Sequence, residues 1–368
     1  MKRVCALCLV LWCIGDIGTM LAAELPSITG IVPNTNGVLL TWDPSTNRFI
    51  IEKFSDLTQP SVCCGSSSGL YSSAIHLITS ADTQLFYRMQ FGLEVVPFPD
   101  PILEAAVRSQ LATKHLPTNM LYDIDLISLD QLWIFQSGVA DLTGLEHCTN
   151  LKLLLCNNAS NQVTNLAPLS GLTNLFEFWM RQAQVTDVGP LAGVTTLGTL
   201  DLSYSQIEDI SPLAGLTNML DLLLDGNRVR DISALSGMRK MDELHLGWNQ
   251  IGSIDALAGM TNLVSVNLAY NAITNIEPLA GLTNLQVLNL ESNQVSDISA
   301  LSGLTKLFAV LLKSNLITDL SGLITNTSLG GLGSGDYVYL QGNPLSSFAH
   351  TNQIPFLTNH QVTVYYDP

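Results

Sequence analysis

A glycine followed by an aliphatic residue returns every 22 residues, at Gly171-Leu172, Gly193-Val194, Gly215-Leu216, Gly237-Met238, Gly259-Met260, Gly281-Leu282 and Gly303-Leu304. A fixed period in the twenties describes short units, none of which can bury its apolar face alone; stacked neighbours complete one continuous core. The chain is therefore expected to form an α/β-type repeat solenoid. Function is then sought on an extended surface rather than in a pocket.

One unit, residues 219–240, shows how the repeat works. Its apolar positions are Met219, Leu222, Leu224, Val229, Ile232, Leu235 and Met238. That spacing is not helical. Leu222 and Leu224 alternate as in a strand, which directs Asp221, Leu223 and Asp225 to the opposite face. The later aliphatics, set among Asp231, Ser233 and Gly237, suit a turn and a short 3₁₀-like return segment. Asn227 follows the strand where the chain must turn inward. Backbone amides and carbonyls lose their ladder partners there, and a carboxamide can both donate to and accept from them. Asn249, Asn271, Asn293, Asn315 and Asn343 hold the same place and should form a buried ladder, whereas Ala183 and Ser205 replace asparagine in earlier units. The aspartates at 187, 209, 231, 297 and 319 lack the glycine-aspartate run of calcium-binding β-helices and read as turn formers capping the return segment.

These residues resemble the leucine-rich repeat family, in the 22-residue form of bacterial internalin-type proteins. The resemblance rests on Leu285 to Leu290 (LQVLNL), Asn293 to Val295 (NQV), Asp297-Ile298 and Leu301 to Lys306 (LSGLTK). It implies a curved array with short strands on the concave face. Units begin at Leu129, Leu151, Leu175, Leu197, Met219, Met241, Leu263, Leu285 and Leu307, with a partial unit from Val338. The units at Leu151 and Leu307 are longer, and their extra residues, including Gly330 to Gly335, read as irregular mobile loops. Asp100-Pro101 followed by Ile102, Leu103, Ala106, Val107 and Leu111 predicts a capping helix with Asp at the N-cap and Pro at N1. Segment 346–368, with Ile354 to Leu357 and the strand-like Val362 to Tyr366, resembles a closing cap. No sorting motif or anchor segment follows the repeats up to Pro368, unlike in surface-anchored internalins.

The expected organisation is a signal peptide at 1–23, a small β-sandwich-like module at 24–97, a helical cap at 98–128, repeats at 129–345 and the closing cap. The signal reading rests on Lys2 and Arg3, the apolar run Val4 to Ile14, and Ala22-Ala23. Gly15, Asp16, Gly18 and Thr19 make the segment too interrupted for a membrane span, so no integral membrane segment is expected once it is removed. In the module, Val38 to Trp42, Phe49 to Glu52 and Leu85 to Met89 carry strand and turn signals. Trp42 and Tyr87 lie where a fibronectin type III-like sandwich keeps core aromatics.

Removing Lys2, Arg3 and Asp16 takes the formal charge from −16 to −17. Phosphate backbones and anionic lipid heads repel such a chain, so nucleic acid and membrane surfaces are poor partners. Of the 7 cysteines, Cys5, Cys8 and Cys13 leave with the signal. Cys148 and Cys156 occupy core repeat positions and read as small buried hydrophobes. Cys63-Cys64 stays open between surface thiols, a vicinal disulfide and an intermolecular bridge.

The sequence contains no glycine-rich phosphate loop, no His-Glu-x-x-His, no Gly-x-Ser-x-Gly and no paired CxxC, and its 6 histidines show no metal-like spacing. No enzyme activity and no cofactor are expected. What remains is the outward strand face, where large residues replace the small polar ones of a purely solvated sheet. The candidate ligand-binding residues are Trp179, Arg181, Asp201, Tyr204, Asp225, Glu243, His245, Trp248 and Tyr270. Rigid exposed aromatics bury much area at little entropic cost, and the carboxylates favour a partner with basic or hydroxyl-rich groups. Trp133 and Phe135 are expected to pack as core under the cap helix. The expected partner is a protein or a polysaccharide; the resemblance to internalins implies a protein. A structural role in a cell envelope or matrix, assembled through the β-module and its thiols, is the alternative.

Overall fold

The computed structural model describes residues 95–113, 121–135, 138–156 and 161–368, together with the backbone of five earlier strands. Those strands form a hairpin, Ile28–Asn34 with Gly37–Trp42, and a three-stranded antiparallel sheet in which Phe49–Asp56 lies between Gln59–Cys64 and Phe86–Phe91. The proposed signal segment and the side chains of Trp42, Cys63, Cys64 and Tyr87 lie outside the described residues.

The chain divides into two compact units, residues 1–132 with 147–150, and residues 133–146 with 151–368. In the first, the helix Pro101–Thr113 starts where the sequence places it. Asp100 Oδ1 accepts hydrogen bonds from the backbone N–H of Ile102 at 2.9 Å and Leu103 at 3.1 Å, satisfying donors that the first helical turn leaves free. Leu103, Val107 and Leu111, four residues apart on one helical face, are fully buried. A one-turn helix, Asp123–Leu126, follows. Burial pushes the Asp125 carboxyl up to about 6, although it accepts the Tyr122 N–H at 3.0 Å.

The second unit holds ten of the eleven strands of one parallel sheet, from Leu153–Leu155 to Thr363–Tyr365, in sequential order. The other strand, Gln131–Trp133, carries residues of both units. Asp221 pairs with Glu243, Leu222 with Leu244 and Leu223 with His245, so one 22-residue period advances the sheet by one strand. The seven apolar positions of residues 219–240 are all at most 2% exposed. Return segments are 3₁₀ turns such as Ser211–Gly215 and Ser233–Gly237. Asp187, Asp209, Asp231 and Asp297 open them: each Oδ1 accepts the backbone N–H two residues on, at 2.7–2.8 Å. These bonds, from Ser211 and Ser299, hold the carboxyls of Asp209 and Asp297 below the usual range.

The asparagine ladder forms as expected. Asn227 Oδ1 accepts the Ile207 N–H at 3.0 Å, and its Nδ2 donates to the carbonyls of Leu202 and Leu224, both at 3.0 Å. The other ladder asparagines repeat this pattern as far as Asn343, which bonds Ile317, Leu312 and Leu340. One member was hidden: buried Asn161 donates to the Cys156 carbonyl at 2.7 Å, displaced from the repeat position by the insertion in its unit. At 205 the ladder is interrupted, and the buried Ser205 hydroxyl has no hydrogen-bond partner. Ser205→Asn should restore the missing bonds and raise the unfolding free energy by about 1–2 kcal/mol, read as a higher urea midpoint at unchanged m-value. No change in midpoint would mean that the site cannot admit the carboxamide.

The longer unit at Leu307 differs from the expected loop. Its extra residues form the helix Ser321–Ser328, and the glycine-rich stretch follows it. Asn326 anchors that turn: its Nδ2 donates to the carbonyls of Leu301 at 2.8 Å and Leu304 at 2.9 Å, and its Oδ1 accepts the Leu332 N–H at 2.9 Å. After the partial unit come a π-type turn, Ala349–Gln353, and the helix Ile354–Asn359.

Candidate ligand-binding face

Parallel pairing one period apart turns the outward strand positions into columns that cross the sheet. Trp179, Asp201, Leu223, His245 and Asn267 lie in one such column. Adjacent strands are about 4.8 Å apart, so members of a column touch and cover one another. Leu223, although directed outward, is buried for that reason, and Asp201 is 0% exposed.

Two ionic groups organise the centre of the face. Arg181 Nε donates to Asp201 Oδ2, and Asp201 Oδ1 accepts the Ser203 N–H at 3.0 Å. In the other group, His245 stands between Asp225, 3.6 Å from Nδ1, and Glu243, 2.9 Å from Nε2. The Asp225 carboxylate, with help from Glu243, raises the His245 pKa above its ordinary value against the opposing effects of burial and Arg181. Asp225 Oδ1 also accepts the Gly247 N–H at 2.6 Å and the Asn267 carboxamide at 3.2 Å. Asp201 is thus paired with the Arg181 cation, and Asp225 and Glu243 with the His245 imidazole, on their own chain. Glu177, Asp221 and Glu291 accept from neutral donors instead: the Trp179 indole at 3.3 Å, the Thr199 hydroxyl at 2.9 Å and the Tyr270 hydroxyl at 3.3 Å.

Tyr204, Trp248 and Tyr270 do not stand on the strands. They follow them, at the turn just ahead of the ladder position (Ser205, Asn249 and Asn271), where the backbone is left-handed with φ of 59°, 52° and 55°. Glycine is favoured there, and Gly226 holds the place in the intervening unit with φ 68°. An aromatic residue in this conformation costs about 1 kcal/mol or more, and such strain clusters at functional positions. The three are 50%, 47% and 39% exposed and form a rim along the face. Trp248 stacks on Tyr270 with ring centroids 4.6 Å apart and planes 9° apart. The Tyr204 ring lies over Gly226, where an added Cβ would come within 2.4 Å of it.

The structure therefore groups the sequence-derived candidates as a rim (Tyr204, Trp248, Tyr270) beside a charged centre (Arg181, Asp201, Asp225, Glu243, His245), with half-buried Trp179 beside Asp201. The expectation for Trp133 and Phe135 does not hold. They are 41% and 75% exposed, because Leu132 and Ile134, alternating with them, fill the interior positions instead. An aromatic group at the far end of the sheet, formed by Phe308, Tyr337, Tyr339 and Tyr365, was legible only in part: Tyr337 and Tyr339 stand at outward positions, but Phe308 and Tyr365 join them only through strand pairing.

Stacked short parallel strands, 3₁₀ returns and the asparagine ladder define a leucine-rich repeat protein. The family model for leucine-rich repeats in two copies matches residues 261–303. The crystal structure of internalin C2 from Listeria monocytogenes is 36% identical over 59% of this chain and 94% of that one, with a TM-score of 0.55. A second Listeria monocytogenes internalin, inlF, is 28% identical over 75% of this chain and 94% of that one, with a TM-score of 0.54. A leucine-rich repeat protein of Leptospira interrogans, at 20% identity and a TM-score of 0.57 over 68% of each chain, shares the fold. The curated proteins contain no match. The chain belongs to the bacterial internalin-like leucine-rich repeat family. Among the described residues, no helix is long and apolar enough to cross a membrane.

Proposed function

We propose that this is an exported binding protein, without enzymatic activity, that recognises a protein ligand on its concave face. The signal segment, β-module, helical cap, repeats and closing cap keep the boundaries given above. The observation that carries the reading is the placement of Tyr204, Trp248 and Tyr270, exposed aromatics at three of four consecutive turns whose backbone favours glycine. Nothing in the repeat's own packing requires large rings there, and stability alone would favour glycine. Rigid aromatic side chains beside partly neutralised carboxylates fit a protein surface with basic and hydrogen-bonding groups. A polysaccharide is the other ligand class, and the assembly role the alternative function.

The test is crosslinking capture from extracellular and envelope fractions, comparing the mature protein with Trp179→Ala/Trp248→Ala/Tyr270→Ala of verified fold. A single protein captured by the parent, with binding weakened by about 100-fold or more in the variant, is the expected result. Equal capture by both proteins, or self-association alone, would rule the face out.

A further inference from the structure

At the far end of the sheet the character of the face changes. Strands Ala309–Leu311, Tyr337–Tyr339 and Thr363–Tyr365 contain no carboxylate. Tyr339 stacks on Tyr365 with ring centroids 4.4 Å apart and planes 7° apart, and meets Tyr337 edge-on at 5.7 Å. Phe308 closes on Tyr337 at 6.4 Å. The Lys313 ammonium lies 5.0 Å from the centroid of the Tyr339 ring. Among the described residues no carboxylate stands within ion-pair distance of Lys313. Of the nearby carboxylates, Glu291, opposite Lys313 on the preceding unit, accepts from the Tyr270 hydroxyl at 3.3 Å, and two aspartates are engaged in turns, Asp336 accepting the Gly333 N–H at 2.8 Å and Asp367 the Gly342 N–H at 2.6 Å.

The orientation of the rings decides what such a patch can bind. Parallel rings 4.4 Å apart on strands about 4.8 Å apart must have their planes across the line between strands, so they stand on edge upon the sheet. Their faces are taken up by each other and by Lys313. What they offer outward is ring edges, which carry the positive end of the aromatic quadrupole, together with phenol hydroxyls and an ammonium. Stacking of a sugar ring requires an open aromatic face, which the central ring, Tyr339, lacks between Tyr365 and Lys313. The surface is complementary to electron-rich groups, namely a carboxylate and the face of another aromatic ring.

We propose that Phe308, Lys313, Tyr337, Tyr339 and Tyr365 form a second docking patch, separate from the rim, for a protein segment carrying an acidic residue beside an aromatic one. The net charge of −16 would by itself repel such a segment, so selection of acidic peptides cannot arise from non-specific attraction.

A random dodecapeptide display library panned on the full chain supplies the probe, and the enriched peptide is then synthesised and titrated by calorimetry. The expected result is enrichment of sequences with Asp or Glu beside Trp, Tyr or Phe. Affinity should fall at least tenfold in Lys313→Glu and in a folded Tyr339→Ala variant. It should be retained in Lys313→Arg and in the rim variant Trp179→Ala/Trp248→Ala/Tyr270→Ala. Absence of an acidic-aromatic motif, equal binding by Lys313→Glu, or loss in the rim variant alone would each overturn the patch. The last outcome would leave the rim as the binding site, so the two readings fail separately.

Discussion

Replacing Asn249 by alanine should lower the unfolding free energy by about 4 kcal/mol, although it removes only a small uncharged group. Its Nδ2 donates to the carbonyls of Leu224 at 2.9 Å, Leu246 at 3.0 Å and Gly247 at 3.1 Å, and its Oδ1 accepts the Val229 N–H at 2.9 Å. The side chain is buried, so water cannot take over these bonds. Each stranded buried group costs about 1–3 kcal/mol, which makes the total several times that of an ordinary surface substitution. Asn262→Ala is the matched control: that side chain also donates to a carbonyl, of Arg239 at 2.8 Å, but it is exposed. Urea unfolding followed by circular dichroism should show a large loss for Asn249→Ala and under about 1 kcal/mol for Asn262→Ala. Similar small losses in both would refute the ladder as a stabilising element.

Gly322→Ala should destabilise by about 3 kcal/mol, reversing the sign usual inside a helix, where alanine is favoured over glycine by about 1 kcal/mol. Gly322 lies in the helix Ser321–Ser328, and a Cβ there would come within 2.2 Å of the Ile298 carbonyl oxygen and 2.8 Å of its carbon. The obstacle is backbone and cannot swing aside as a side chain does. The helix must therefore shift off the preceding return segment, loosening the packing of Leu323, which is fully buried. Thermal unfolding checks this. A variant as stable as the parent would show that the helix can stand further out at no cost.

The repeat's interior was legible because its chemistry is local and repeated. The seven repeating apolar positions of residues 219–240, Met219 to Met238, are buried, and the ladder asparagines bond as their place after the strand requires. A period of 22 residues leaves few ways to stack strands, so copying one solution many times reinforces the pattern. Where a unit departs from the period, the pattern falls silent. Asn161 slipped out of register behind an insertion, and the insertion after Leu320 holds a helix anchored by Asn326 that repeat spacing could not announce.

The candidate face was legible in residue type but not in state. Sequence alternation marked Asp201 and Leu223 as outward, yet neighbours on adjacent strands cover both. It also placed Tyr204, Trp248 and Tyr270 with the strand residues, whereas a left-handed turn carries them onto a rim. Trp133 and Phe135 show the opposite error, since large aromatics expected as core stand exposed.

By itself, then, the sequence determined the repeat, its buried positions and the polar groups that the turns need, because those follow from periodicity and from backbone hydrogen bonding within one unit and its neighbour. Tertiary structure alone decided which charges neutralise one another, which rings stack and which outward side chains still meet solvent. Those outcomes depend on distances between residues that pairing brings together across the sheet, such as Asp225 with His245 and Tyr339 with Tyr365. Spacing along the chain does not encode the rotamers that settle such contacts.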